Sequence, residues 1–148
     1  EFINSHLESK VYYASMGGFD THANQFNRQD RLLSTFSSAM EVFVKDLKQN
    51  NTFKDTLILV FSEFGRRVQQ NAAGGTDHGA ANNVYIIGEN LKKKGFYNDA
   101  PNLLSLDKNG DIIHTVDFRS IYASILDKWL EVDEVSILNK TFRKLDFI

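Results

Sequence analysis

Cysteine is absent from the 148 residues of the sequence. This absence excludes disulfide bonds, thiolate metal ligands and a cysteine nucleophile. No run of residues approaches the ~18 consecutive apolar residues that a membrane-spanning helix needs, and the opening residues lack the basic-then-apolar order of a signal peptide. Lys and Arg number 17 against 19 Asp and Glu, for a net charge of -2. No basic surface for nucleic acid is therefore predicted, and the short cluster at 92–94 indicates a solvated face.

The remaining composition is that of an ordinary globular protein, with 42% hydrophobic and 24% charged residues. A chain of this length buries about 68–70% of the surface that its unfolded form exposes, so it can form a sizeable core. The sequence contains no repeat and no low-complexity segment that would indicate a linker. A single domain over residues 1–148 is therefore the prediction.

Apolar patterning predicts alternating strands and helices. The apolar residues of 30–48 recur in steps of three and four, as in an amphipathic helix. Residues 56–62 are apolar on both faces, which favours a central strand in a parallel sheet. The other predicted elements are strands at 10–16 and 83–88, a turn at 109–110, and a helix at 117–130 capped by Thr115 or Asp117. This order predicts an α/β fold, a largely parallel sheet with helices on both faces.

Acidic and imidazole side chains cluster at the ends of the predicted strands. Asp20 and His22 follow the first strand in "GGFDTH", Glu63 ends the second in "SEFGRR", and the loop before the third contains "GGTDHG" with Asp77 and His78. In open α/β sheets, ligands bind at the carboxyl ends of the strands. Such a donor set suits zinc, manganese or iron and needs no sulfur. Taken alone, Asp20 could instead be a turn or capping residue, and His78 could be a surface histidine. Glu63 follows an apolar strand, where a carboxylate needs a partner or solvent.

The other polar residues divide into those near these loops and those away from them. Arg66 and Arg67 are candidates for holding an anionic substrate, with plain surface charges as the alternative. Ser62 could orient the neighbouring carboxylate of Glu63. His6 and His114 are assigned no functional role.

Several common binding motifs are excluded. The segment "LDKNGDII" resembles the start of a calcium loop, but Ile112 and Phe118 stand where that loop needs its glycine and its bidentate glutamate. The sequence also contains no P-loop, no dinucleotide-binding fingerprint and no nucleophile elbow. The chemistry therefore rests on the metal-ligand pattern alone.

Four sequence segments, three of which contain the candidate metal ligands, resemble segments of a bacterial protein family. They are "GGFDTHANQ", "DTLILVFSEFGRRVQQN", "GTDHGAANNVYIIG" and "TVDFRSIYASILDKWL". In this order they are similar to the domain of unknown function 1501 family, which resembles a branch of the alkaline phosphatase and sulfatase superfamily. The resemblance extends from about residue 11 to the end of the chain.

The resemblance implies a two-metal hydrolase of phosphate or sulfate esters. Asp20 and His22 resemble the superfamily's early ligand pair, although one residue separates them here where three are usual. His78 resembles the later ligand of the same metal. Glu63 resembles the acid of the second metal site, either as a ligand or as an acid that supports one, and Phe64 replaces the expected histidine there. Asp77 is expected to orient His78 or to bind the metal directly. Zinc is the implied metal, with manganese, iron or calcium as alternatives.

The resemblance also implies that this chain is the C-terminal part of a longer fold. The superfamily's nucleophile lies in the N-terminal part, so no catalytic nucleophile is expected here. The implied substrate is a small anionic ester, and the implied location is the periplasm or cell envelope. Loss of the second metal site suggests the alternative of a non-catalytic, exported metal-binding scaffold.

Overall fold

The computed structural model describes residues 2–5 and 7–148. His6 lies outside the described residues. Two short 3-10 helices occupy Ile3–Ser5 and Phe53–Asp55. The helices and strands follow in the order α1 (Gln25–Gln49), β1 (Ile58–Val60), β2 (Gly65–Arg66), β3 (His78–Gly79), β4 (Tyr85–Ile87), α2 (Phe118–Lys128) and α3 (Glu134–Leu138). Within this part of the chain, no helix combines the length and the apolar character that crossing a membrane requires.

The chain divides into two compact units. The first unit comprises Glu1–Glu89 with Asn102–Ile113, and the second comprises Asn90–Pro101 with His114–Ile148. All the residues proposed from the sequence as metal ligands belong to the first unit. The prediction of a single domain over residues 1–148 stays a prediction.

Helix α1 confirms the predicted amphipathic helix and begins five residues earlier than the pattern indicated. Its first turn is attached to the loop before β3, because the backbone N–H groups of Asn24 and Gln25 donate to the carbonyls of Ala73 and Gly74. These bonds satisfy donors that have no partner inside the helix. The start of α1 is therefore tied to a loop that carries predicted site residues.

The strands form two short antiparallel pairs. Ile58 pairs with Ile87 between β1 and β4, and Arg66 pairs with His78 between β2 and β3. The strands predicted at 56–62 and 83–88 are confirmed in shortened form, but the parallel orientation predicted for the first is wrong for this pair. Parallel strands need a crossover, usually a helix, whereas the chain between β1 and β4 contains the β2–β3 pair. A larger parallel sheet stays a prediction.

The strand predicted at 10–16 is wrong. These residues lie outside every strand, and Val11 and Tyr13 are 70% and 80% exposed. Apolar, β-favouring composition predicts a strand only where a neighbouring strand accepts its backbone hydrogen bonds. The turn predicted at 109–110 is confirmed, because Leu106 and Ile112 form an antiparallel bridge around it and Gly110 has a φ of 81°.

Helix α2 confirms the second predicted helix and its cap. The Asp117 carboxylate accepts a hydrogen bond from the Arg119 backbone N–H, as an N-cap residue should. The buried apolar side chains of the second unit are Ile121, Ala123, Leu145 and Phe147. Helix α3 was not predicted, since its five residues are too few to show a periodic pattern.

Candidate metal centre

The structure brings three of the five predicted ligands together. Asp20 and His22 lie in the loop before α1, and His78 lies in β3. The Nε2 atoms of the two histidines are each 2.9 Å from Asp20 Oδ1 and 3.3 Å from each other. Among the described residues, these three form the group of acidic and imidazole side chains able to hold a metal ion.

Close backbone approach at Gly75 makes this convergence possible. A Cβ atom on Gly75 would lie 2.2 Å from the carbonyl carbon of His22, which is far inside van der Waals contact. The adjacent Gly74 forms an antiparallel bridge with Ala23. The glycine pair in "GGTDHG" therefore lets the His78 loop approach the backbone of the Asp20–His22 loop.

The separations of the donor atoms fit a small transition-metal ion. Tetrahedral zinc with bonds of about 2.0–2.1 Å places neighbouring ligand atoms about 3.3 Å apart. The observed 2.9 and 3.3 Å are close to that spacing. The three side chains are also 47–58% exposed. The centre is therefore open to a further ligand on its solvent side, an arrangement typical of catalytic rather than structural zinc sites.

Arg66 holds the Asp20 carboxylate in place. Its guanidinium donates to Asp20 Oδ1 at 2.9 Å and to the carbonyl oxygens of Phe19 and Thr76, both at 2.7 Å. The hydrogen bond from His78, followed by that from Arg66, lowers the pKa of Asp20. The carboxylate is therefore ionised at neutral pH, the form that binds metal. These three contacts give Arg66 a role in the scaffold, while substrate binding by Arg66 stays a prediction.

Asp77 lies beside His22. Its Oδ1 atom is 3.5 Å from His22 Nδ1, on the opposite side of the ring from the Nε2 atom that faces Asp20. The sequence suggested instead that Asp77 would orient His78 or bind directly. This distance is that of an ion pair, and the hydrogen bond that Asp77 Oδ1 accepts comes from the Asn71 amide at 3.4 Å.

Phe64 stacks on the ring of His78. The two ring centroids are 3.8 Å apart with an interplanar angle of 9°. The Arg66 guanidinium carbon lies 5.0 Å from the centroid of the same phenyl ring. Phe64 is therefore packed against one candidate ligand and against the arginine that holds another.

The remaining predicted site residues are placed differently. Glu63 is exposed and is not a member of the three-residue donor group. Ser62 donates to the Phe64 carbonyl at 2.6 Å, a backbone contact that the sequence did not suggest. Arg67 Nε lies 3.4 Å from the buried Asp111 Oδ1. A metal-binding role for Glu63 and a substrate-binding role for Arg67 stay predictions.

Sequence reasoning missed Asn71 and Gln25. The Asn71 amide donates to the His22 carbonyl at 2.9 Å, and its side-chain oxygen accepts from the N–H groups of Ala73 and Gly75, both at 3.0 Å. Gln25 accepts from two threonine hydroxyls. The signal for Asn71 was an Asn before a run of small residues, where such side chains often bond to the backbone. No such signal marked Gln25, because it precedes the predicted helix and is followed by other polar residues in the first turn of α1.

Comparison with known proteins identifies the family of the chain. The family described as "Protein of unknown function (DUF1501)" matches residues 7–137, and the chain belongs to this family. The match covers both loops that form the candidate centre. No curated protein and no solved structure matches the chain.

Proposed function

We propose that the chain binds a divalent metal ion, zinc foremost, through Asp20, His22 and His78, and that the full-length protein hydrolyses phosphate or sulfate esters at this centre. The observation that carries the proposal is the convergence of one carboxylate oxygen and two imidazole nitrogens from sequence-distant loops. Imidazole donors suit zinc, manganese and iron, whereas calcium prefers a full set of oxygen ligands. The donor chemistry therefore favours a transition metal over calcium.

The surroundings of the centre support an anionic substrate. A metal ion held there would supply Lewis-acid polarisation of an ester oxygen. Arg66 neutralises the charge of Asp20 through their contact at 2.9 Å. The positive charge of a bound cation is then less completely cancelled by its own ligands, which favours attraction of anionic esters.

The wider assignment rests on the resemblance to the alkaline phosphatase and sulfatase superfamily. On this proposal the chain is the C-terminal part of such a fold, the nucleophile lies upstream, and the protein acts in the periplasm or cell envelope. The 148-residue chain should then bind metal without turning over aryl phosphates or sulfates. Metal-dependent hydrolysis by this chain alone would contradict the upstream nucleophile and direct attention to Ser62 and Thr76.

Calorimetric titration with zinc and with manganese tests the metal-binding part of the proposal. His78→Ala removes one of three candidate ligands. Loss of a residue that only supports a ligand typically lowers metal affinity by about 10- to 100-fold, and we expect His78→Ala to lower the affinity for zinc by more than that. His114→Ala is the matched control, because His114 is exposed and is not part of the donor group. Unchanged affinity in His78→Ala would contradict the assignment.

The position of Phe64 favours a second candidate function, a scaffold that holds one metal ion and has no hydrolytic activity. A phenyl ring offers no lone pair, and Phe64 is stacked on His78 where the superfamily resemblance calls for a second-metal histidine. Metal content and ester turnover of the full-length protein distinguish the two functions. Two ions per chain with turnover support the hydrolase, whereas one tightly held ion without turnover supports the scaffold.

Phe64→His in the full-length protein tests whether the second site was lost at this position. We expect the number of bound zinc ions to rise from one to two, at a cost of about 0.5–1.5 kcal/mol for the lost aromatic stacking. The control is Phe96→His, since Phe96 is 95% exposed. If the wild-type protein already binds two ions and the variant also binds two, the idea of a lost second site is wrong.

A further inference from the structure

Side-chain hydrogen bonds connect helix α1 to both loops of the candidate metal centre. Gln29 Nε2 donates to Thr21 Oγ1 at 2.9 Å, and Thr21 Oγ1 donates to Gln25 Oε1 at 3.2 Å. Thr76 Oγ1 donates to the same Gln25 oxygen at 2.7 Å. A single amide oxygen on α1 thus accepts hydrogen bonds from hydroxyl groups in both loops that carry the candidate ligands.

The two threonines stand next to the ligands in sequence and are buried. Thr21 lies between Asp20 and His22 and is 1% exposed. Thr76 lies two residues before His78 and is 8% exposed. Buried hydroxyl groups need hydrogen-bond partners, and Thr76 has Gln25 as its acceptor. The shorter hydrogen bonds of Thr21 are those with Gln25 and Gln29 of the helix, and its contact with the Phe19 carbonyl is longer, at 3.5 Å. Movement of Gln25 would therefore move both ligand-bearing loops.

The backbone of Gln25 reinforces the same connection. Its N–H group donates to the Gly74 carbonyl at 2.9 Å, and the preceding N–H of Asn24 donates to Ala73 at 3.1 Å. Gln29, one turn further along α1, also donates to the Phe19 carbonyl at 3.0 Å. The start of α1 thus contacts both the loop that carries Asp20 and His22 and the loop that carries His78.

We propose that Gln25 is a positioning residue for the metal centre: its side-chain oxygen sets the separation of the Asp20–His22 loop and the His78 loop, and thereby the affinity and selectivity for metal. This inference rests on the proposed metal binding. Gln25 itself touches none of the three donor atoms through the contacts described. Its influence is exerted through Thr21 and Thr76.

Gln25→Met tests the proposal, because methionine retains the length of the side chain and removes the acceptor. We expect zinc affinity to fall by about 10- to 100-fold, the range typical of partners outside the first coordination shell. Gln25→Glu retains an oxygen acceptor and should recover most of the affinity. Gln49→Met, at the exposed end of the same helix, is the matched control and should bind as the wild type does.

The ratio of zinc to manganese affinity separates positioning from simple destabilisation. A smaller folded fraction weakens apparent binding of every metal by the same factor. Looser donor spacing should weaken the binding of zinc more than that of manganese, because zinc has shorter bonds and stricter geometry. The ratio of zinc affinity to manganese affinity should therefore fall in Gln25→Met. An unchanged ratio, or unchanged zinc affinity, would overturn the proposal.

Amide hydrogen exchange without added metal provides an independent readout. The N–H groups of Asn24 and Gln25 donate from the start of the helix to the His78 loop, and the Thr76 N–H donates from that loop to the Thr21 carbonyl of the other loop. All three should exchange faster in Gln25→Met than in Gln49→Met. Equal exchange in the two variants would overturn the positioning role. If the wild-type protein binds no metal while these amides still exchange faster in Gln25→Met, the proposed function fails and the junction itself stands.

Discussion

Different interactions stabilise the interior of each of the two units. Among the described residues of the first unit, the 25-residue helix α1 buries a single residue, Leu47, and the other buried apolar side chain is Phe53. Its other buried residues include the polar Thr21, Thr76 and Asp111. The order of the loops at the candidate centre therefore depends on hydrogen bonds and close backbone approach.

The second unit relies more on side-chain packing. Its helix α2 has 11 residues, and four of them are buried, namely Ser120, Ile121, Ala123 and Ser124. The Ser124 hydroxyl donates to the Ser120 carbonyl and accepts from the Leu145 N–H, so the polar groups in this core are also satisfied. The short helix α2 therefore has a larger buried share than the long helix α1 beside the candidate centre.

The largest expected effect concerns side-chain packing in the second unit. Ile121→Ala removes a buried side chain and should lower the free energy of unfolding by about 2–5 kcal/mol. Urea denaturation measures this change. The matched control is Ile137→Ala, because Ile137 is 54% exposed. Equal stability losses in the two variants would show that packing around Ile121 contributes little.

A smaller effect is expected from backbone crowding at the candidate centre. In Gly75→Ala, the new methyl group would meet the His22 backbone, so the two ligand loops must separate. We expect a loss of about 1–3 kcal/mol in the free energy of unfolding together with weaker zinc binding in calorimetry. Gly17→Ala is the control, since a methyl group there meets nothing within 4 Å. Wild-type zinc affinity in Gly75→Ala would contradict the role assigned to the close approach.

The smallest effect concerns pH and the cap of α2. Hydrogen bonds from the Arg119 side chain and backbone lower the pKa of Asp117 from 3.8 to about 2. The ionised carboxylate therefore stabilises the fold above pH about 4, and this contribution is lost as the pH falls towards 2. Asp117→Asn keeps a good capping residue but removes the ionisation. Urea denaturation between pH 5 and pH 2 should show a shallower acid loss for the variant than for the wild type. Parallel curves would contradict this assignment.

The sequence predicted the helices better than the strands. The periodic apolar residues of α1 and α2 identified both helices, because a helix forms its backbone hydrogen bonds within one segment. A strand needs a partner, so the apolar run at 10–16 could not reveal that it lies outside every strand. For the same reason, residues 56–62 did not reveal the antiparallel orientation of β1.

The sequence predicted the donor residues of the candidate centre, but it did not predict the side-chain contacts that hold them in place. The residue types and glycine-rich loops predicted that five acidic and imidazole residues would converge, and the structure brings Asp20, His22 and His78 together. They converge even though the strand predicted before the first pair does not form. The proximity of Asp77 to His22 and the contacts of Arg66 with Asp20 depend on rotamers and loop packing. Such details follow from tertiary contacts, which a linear pattern of residue types does not encode.

The stacking of Phe64 on His78 has a magnetic consequence. Circulating π electrons shield protons that lie over the face of an aromatic ring, and the two ring centroids are 3.8 Å apart and nearly parallel. The carbon-bound protons of the His78 ring should therefore resonate upfield of those of the exposed His114. Any rearrangement of the loops that slides one ring off the other would move these signals downfield. The phenyl ring thus gives the centre a native spectroscopic reporter that requires no label.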